Sequence, residues 1–198
     1  MTARTQPIQS PPPSAIRRST DPVEDAGLAR YVDVLVLDQV QSWGWDDILF
    51  VECGDGWAAE EAWRRRRTRG HVVALDMSPR AIERARRLRG VPGQVEFATW
   101  DGRHLGQAND AFDQVISSFG LQHSPDPEAL ARDMLRVLRP RGELYAVEPE
   151  SGATATRSLL KLAGFLEIEE LASCRHELDG NGGLKSAVVI HARASASE

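Results

Sequence analysis

Apolar positions along this chain follow two rhythms. From Val23 to about Gln41 they fall at Leu28, Tyr31, Val32, Leu35, Val36 and Val40, a spacing that lines one face of a helix. After that, short unbroken apolar runs alternate with helical patterns. Ile48-Leu49-Phe50-Val51 predicts a buried strand, and Trp57 to about Arg67 a helix. Val72-Val73-Ala74-Leu75 predicts a second strand. Ser78 can cap the helix that follows, Pro79 suits its first position, and Ala81, Ile82, Ala85 and Leu88 share one face. Val95-Glu96-Phe97 opens a third strand and Phe112 to Ser117 gives a fourth. Asp126-Pro127 starts a helix whose apolar face is Leu130, Met134, Val137 and Leu138; Pro140 is expected to stop it and Arg141-Gly142 to turn the chain. Leu144 to Val147 is the fifth strand, followed by a short helix from about Ala155 to Ala163. Leu166 to Leu171 and Ala187 to Ile190 are two more strands.

Strand–helix alternation implies a parallel sheet with helices on both faces, a doubly wound Rossmann-like α/β domain. The final two strands have only a loop with Asp179-Gly180-Asn181-Gly182-Gly183 between them, and no crossover helix, so they should pair antiparallel. Residues 1–22 carry five prolines among Ser, Thr and Gln without apolar periodicity, and read as a disordered tail. The expected organisation is that tail, an N-terminal helix region over 23–44 packing on or capping the domain, the domain itself over 45–194, and a short tail over 195–198.

Composition narrows the function classes. A net charge of −5 argues against a nucleic-acid partner. No apolar run is long enough to span a bilayer, and the N-terminus lacks the apolar core of a secretory signal. The two cysteines, Cys53 and Cys174, have neither disulfide-framework nor zinc spacing, which fits a reducing cytoplasm. The five histidines share no metal-ligand spacing, so no metal is expected. Arg64 to Arg67 with Arg69 end a helix, where cations suit the helix dipole.

Ligands of open α/β sheets sit beyond the C-terminal ends of the strands. After the first strand comes Glu52-Cys53-Gly54-Asp55-Gly56-Trp57, where glycines let the backbone approach a ligand and the next helix offers free N–H groups. Asp76 follows Gly56 by twenty residues, after the second strand, where a carboxylate can accept from a ribose diol. By these letters the loop suits NAD and S-adenosylmethionine equally, and a tight turn without a ligand is the plain alternative. Trp100-Asp101-Gly102 follows the third strand; Asp101 could accept from an adenine amino group or serve only its own turn. Ser117 to Pro125 follows the fourth, and His123 within it is a candidate general base or a polar loop residue.

The blocks CGDGWA, VVALDMSPRAIERAR, VEFATWDG and FDQVISSFGLQHSPDPEALARDMLRVLRPRGELYAVEP, with LLKLAGF after them, resemble the class I S-adenosylmethionine-dependent methyltransferases. They look closest to the type 11 small-molecule branch, which includes quinone-methylating members. The resemblance runs from about Ile48 to Arg193. It implies a seven-stranded sheet with the last strand antiparallel, and S-adenosylmethionine as cofactor. It places Gly54 and Gly56 under the methionine part, Asp76 on the ribose, Met77 against the adenine and Asp101, beside Gly102, at the adenine amino group. The stretch from Ser117 to His123 would line the methyl-transfer site. The chain departs from the family's acidic-x-Gly-x-Gly-x-Gly loop: alignment on Cys53-Gly54-Asp55-Gly56 puts Phe50 at the acidic position and Glu52 at the first glycine. Sliding by two makes Glu52 the acid and costs the matches at Cys53 and Trp57. In the first register, Glu52 crowds the cofactor and opposes its carboxylate.

Three functions follow. The leading one is methyl transfer from S-adenosylmethionine to a small-molecule acceptor. The second is a catalytically idle methyltransferase-like binding or scaffold domain, which Phe50 and Glu52 motivate. The third is an NAD-linked oxidoreductase, although neither tyrosine has the lysine four residues on that the short-chain dehydrogenase pair needs.

Overall fold

The computed structural model describes residues 22–40, 47–65, 70–177 and 184–196. The predicted tail up to residue 21, the end of the N-terminal region, the last part of the arginine run and the glycine-bearing loop at 179–183 lie outside the described residues. The helices are α1 (Pro22–Gln39), α2 (Trp57–Arg65), α3 (Pro79–Arg89), α4 (Gly120–His123), α5 (Pro127–Val137) and α6 (Ala153–Ala163). The strands are β1 (Ile48–Val51), β2 (Val72–Asp76), β3 (Val95–Thr99), β4 (Phe112–Ser118), β5 (Leu138–Pro149), β6 (Leu166–Glu177) and β7 (Leu184–Arg193).

The seven strands form one sheet in the order β3-β2-β1-β4-β5-β7-β6. The first five run parallel, and β7 inserts between β5 and β6, antiparallel to both. The polarity reverses there because only six residues, 178–183, join β6 to β7, fewer than a parallel crossover needs. All four residues of β1 are buried, as a central strand covered on both faces requires. Ile48 and Phe50 join the core under α1, α2 and α3, while Leu49 and Val51 join the core under α5 and α6. Val32, Val36 and Leu37 fasten α1 to the first of these cores.

Helix ends follow local chemistry. The Ser78 side chain accepts from the Ala81 N–H at the start of α3, and Asp126 does the same for Ala129 at the start of α5, each with proline next in the chain. Gly164, at φ +105°, ends α6 with its N–H on the Lys161 carbonyl.

One boundary differs from the sequence reading. Pro140 does not mark the end of α5: the helix stops at Val137 and β5 begins at Leu138, continuing through Pro140-Arg141-Gly142. The pairing with β4 slips between Phe112 and Gln114, and this irregularity accommodates a proline that cannot donate to the ladder. Arg141 adopts φ +66°, with its N–H on the Ser195 carbonyl. β6 and β7 are also longer than their apolar runs, their antiparallel pairing running from Leu166↔Arg193 to Glu177↔Leu184. No helix among the described residues is long and apolar enough to cross a membrane.

Candidate functional site

The C-terminal ends of β1 to β4 bring Glu52, Gly54, Asp76, Met77, Gly102 and Ser117 to one edge of the sheet, as the strand order requires. β1 leaves the sheet at Glu52, which has φ +61°; Gly54 at +57° and Gly56 at +76° follow. Three left-handed positions at alternate residues are what a Gly-x-Gly-x-Gly loop supplies without strain. The backbone therefore supports the register that puts Glu52 at the first glycine of the motif.

The two glycines have different jobs. A Cβ on Gly54 would meet nothing within 4 Å, so its face is open. A Cβ on Gly56 would lie 2.5 Å from the Phe97 ring and 3.0 Å from Ala85, so Gly56 is small in order to let β3 and α3 close on the loop. The Gly54 N–H donates to Asp76 Oδ2 at 2.8 Å, and the Ser78 N–H to Oδ1 at 2.8 Å. Asp76 is thereby fixed in place, and each oxygen keeps a second lone pair. A Cβ on Gly102, whose φ is +83°, would lie 2.6 Å from the Met77 sulfur and 3.1 Å from Pro125, so the loops after β2, β3 and β4 meet at that point.

Glu52 is buried, and its Oε1 accepts the Trp100 indole N–H at 3.1 Å. Ser117, wholly buried near the end of β4, has no hydrogen-bond partner for its hydroxyl among the described residues. Asp101, in contrast, is exposed and bends into its own turn, accepting the Arg103 and His104 N–H groups at 2.8 Å each. The His104 and Arg103 amides hold its carboxyl below the usual range. His123 ends the single-turn α4, its ring tilted against Phe119 at 6.3 Å between centroids. The sequence read this segment as a loop, since four residues carry no visible period.

Several residues near the site were not singled out from the sequence. Arg89 closes the loop from the α3 side, donating to the Asp55 carbonyl, the Asp55 carboxylate and Glu60. Arg30 of α1 lies 3.9 Å over the Trp57 ring and reaches Asp55 at 3.4 Å, so the N-terminal helix covers the start of α2. Asp33 on α1 is pushed up to about 7 by burial, against the pull of Arg30. Burial, with Asp76 and Glu52 adding, also drives the Cys53 thiol far above its usual range, so it stays protonated and is no nucleophile. Glu148, near the end of β5, is buried and accepts from the Leu121 and Gln122 N–H groups of α4. Arginines and acids such as these carry no spacing signal, because their partners come from distant segments. A cleft of about 190 Å³ lined by Asp113, Arg139, Arg141 and Glu143 lies at the opposite end of β4 and β5, away from these residues. Among the described residues no group of three or more His, Cys, Asp or Glu side chains could hold a metal ion.

The residues present suit an adenosyl group: Asp76 is held by two amides with lone pairs to spare, Met77 and Gly102 lie in contact, and a Cβ on Gly54 would meet nothing within 4 Å. Glu52 and Ser117 are buried just after β1 and near the end of β4.

The family model described as "Methyltransferase domain" (Methyltransf_11) matches residues 49–146, from β1 into β5. The methyltransferase GfsG of Streptomyces halstedii is 35% identical over 170 residues, covering 84% of this chain and 58% of GfsG. The ubiquinone/menaquinone biosynthesis C-methyltransferase UbiE of Haemophilus ducreyi is 37% identical over 82 residues, 40% of this chain and 32% of that protein. The chain thus spans little more than half of the first relative and a third of the second. Among solved structures, the [4+2]-cyclase SpnF superposes with a TM-score of 0.67 at 21% identity, over 85% of this chain and 82% of that one. The methyltransferase in complex with the Haloferax volcanii Trm112 activator gives 0.70 at 16% identity, over 89% and 94%. Family match and sheet order agree: residues 49–146 of this chain match the methyltransferase-domain family, within a sheet that has the class I strand order.

Proposed function

We propose that the protein transfers a methyl group from S-adenosylmethionine to a small-molecule acceptor. The observation that carries this reading is Asp76, fixed at the end of β2 by the Gly54 and Ser78 amides beside an open glycine. In it, Asp76 accepts from the ribose, Met77 and Gly102 flank the adenine, and Gly54 gives the backbone room. Asp101 would reach the adenine amino group by turning from the Arg103 and His104 amides. When bound, the cofactor supplies an electrophilic methyl group on a sulfonium.

The chain's own part is positioning: catalysis here rests on holding the acceptor in line and keeping water out. Ser117, Phe119 and α4 border the acceptor side, and Glu148 fixes α4 by accepting its first-turn amides. α1 closes the approach through Arg30, Trp57 and Asp55. His123 stands as the base for an acceptor that is not already ionised. The family match and the acidic charge support a small-molecule partner and a cytoplasmic setting.

The test uses S-adenosylmethionine labelled in its methyl group with a panel of quinols, phenols and amines. Label should move to at least one member, and Asp76→Ala should abolish the transfer. No transfer to any member, together with no binding of the donor, contradicts the reading. The idle-domain reading is favoured by one observation, the Glu52 side chain lying between β1 and Trp100. Its signature is a wild type that fails to bind and a Glu52→Gly variant that gains binding. Stabilisation by NAD, and none by S-adenosylhomocysteine, would instead support the oxidoreductase.

A further inference from the structure

We propose that α1 is a proton-operated lid over the loop after β1: the turns that carry Arg30 and Asp33 lie closed on Cys53, Asp55 and Trp57 while the Asp33 carboxyl is neutral, and they lift when it ionises.

The helix is held unevenly. Val36 and Leu37, wholly buried, fix its last turn to the core, and Val40 follows them. Among the described residues Val32 alone reaches that core from the turns before, while Tyr31 beside it is exposed. Toward the loop, α1 offers polar groups instead. Arg30 and Asp33 are three residues apart and so share a side of the helix. The Arg30 guanidinium stacks 3.9 Å over the Trp57 ring, and its Nη2 stands 3.4 Å from Asp55 Oδ2. Its Nη1 is buried with no hydrogen-bond partner among the described residues. Asp33 is half-buried, and no described residue donates a hydrogen bond to its carboxyl. Such a contact gives up water without gaining partners, so it is the part of the α1 packing most easily reversed.

Asp33 supplies the deciding charge. The charged groups that act on it are Arg30 of its own helix, Asp55 of the loop and Arg89 of α3. α2 and the strands β4 to β7, which also pack on α1, add none. Asp33 acts in turn on the Cys53 thiol, which places its carboxyl toward the loop. Both arginines are already engaged with Asp55. An ionised Asp33 therefore meets the Asp55 carboxylate at a half-buried contact without a donor of its own, and a neutral one does not. Burial holds the Asp33 carboxyl up, from an ordinary 3.8 to about 7. The closed lid thus keeps the proton to higher pH than the open lid, whose carboxyl meets water. The stabilisation of the closed position is complete below about pH 3.8 and is lost as pH rises toward about 7. The device uncovers the loop whatever the loop binds, so it stands or falls apart from the proposed function.

Amide hydrogen exchange of the full chain, read by mass spectrometry from pH 5 to pH 7.5 and corrected for the intrinsic chemical rate, tests this. Wild-type peptides from α1 and from the loop at 52–57 should lose protection by at least about tenfold across that range. Peptides from β1 and β4 should not follow. Asp33→Asn stays neutral, so its α1 and loop peptides should keep their low-pH protection throughout, with a melting curve confirming that it folds. At pH 7.5 iodoacetamide should also label Cys53 faster in wild type than in Asp33→Asn, with peptide mapping separating Cys53 from Cys174. Wild-type α1 protection that does not change with pH overturns the inference, even where the variant fails to fold. So does a loss that Asp33→Asn shares equally, or one that spreads to β1 and β4 in the same degree.

Discussion

Trp100 donates its indole N–H to the Glu52 carboxylate at 3.1 Å, joining the tip of β3 to the tip of β1 over the end of β2 that lies between them. The bond ties together the residue that departs most from the family's loop and a tryptophan just after the third strand. Trp100→Phe leaves a buried Glu52 oxygen without this donor, so it should lower stability by about 1–3 kcal/mol. Urea unfolding monitored by circular dichroism checks this; an unchanged midpoint would show that the bond is not maintained.

The glycines at 54 and 56 should respond differently to alanine. At Gly56 the new methyl collides with the Phe97 ring and the backbone stays left-handed, so Gly56→Ala should destabilise by about 2–4 kcal/mol. Gly54→Ala meets open space and bears only the backbone cost of about 1–2 kcal/mol. Gly54→Ala should therefore fold and impair ligand binding, while Gly56→Ala should show its loss mainly in the melt. Thermal denaturation of the two variants, with and without ligand, separates the roles.

Arg141 holds a left-handed backbone at φ +66° between Pro140 and Gly142. Arg141→Gly relieves that strain at some entropic expense in the unfolded chain, for a net gain of about 0.5–1 kcal/mol. A rise in the unfolding midpoint at constant m-value would confirm it.

Glu148 should make stability fall with pH. Burial pushes its carboxyl up from an ordinary 4.5 to about 8, against the pull of the Leu121 and Gln122 amides. The folded state thus keeps the proton to higher pH than the unfolded chain does. The resulting stabilisation is complete below about pH 4.5 and is lost as pH rises toward about 8. Glu148→Gln stays neutral throughout, so it should match wild type at low pH and be the more stable protein above pH 8. Melting temperatures of both proteins at the two extremes test the sign.

Much of this fold is written in local pattern. The unbroken run Ile48-Leu49-Phe50-Val51 is buried on both faces, as a central strand must be, and Ser78-Pro79 and Asp126-Pro127 cap their helices as their chemistry directs. Pro140 was misleading because a register slip opposite it lets a strand carry a proline. The positions of Gly54, Asp76, Met77 and Gly102 at strand ends are legible in the sequence, because each follows or closes an apolar run. What the sequence could not show was direction: Gly56 faces Phe97, Asp101 faces its own turn, and Arg89 reaches Asp55 from another helix. These depend on contacts between distant segments, which no local period encodes.

The central claim is that an adenosyl group binds at the strand ends on Asp76. It is tested most directly by calorimetric titration with 5′-methylthioadenosine, which has no charged tail and so isolates that end of the crevice. The account predicts saturable binding by wild type, weakened by about tenfold or more in a folded Asp76→Asn variant. Absence of binding by wild type, or an affinity indifferent to Asp76, would contradict it.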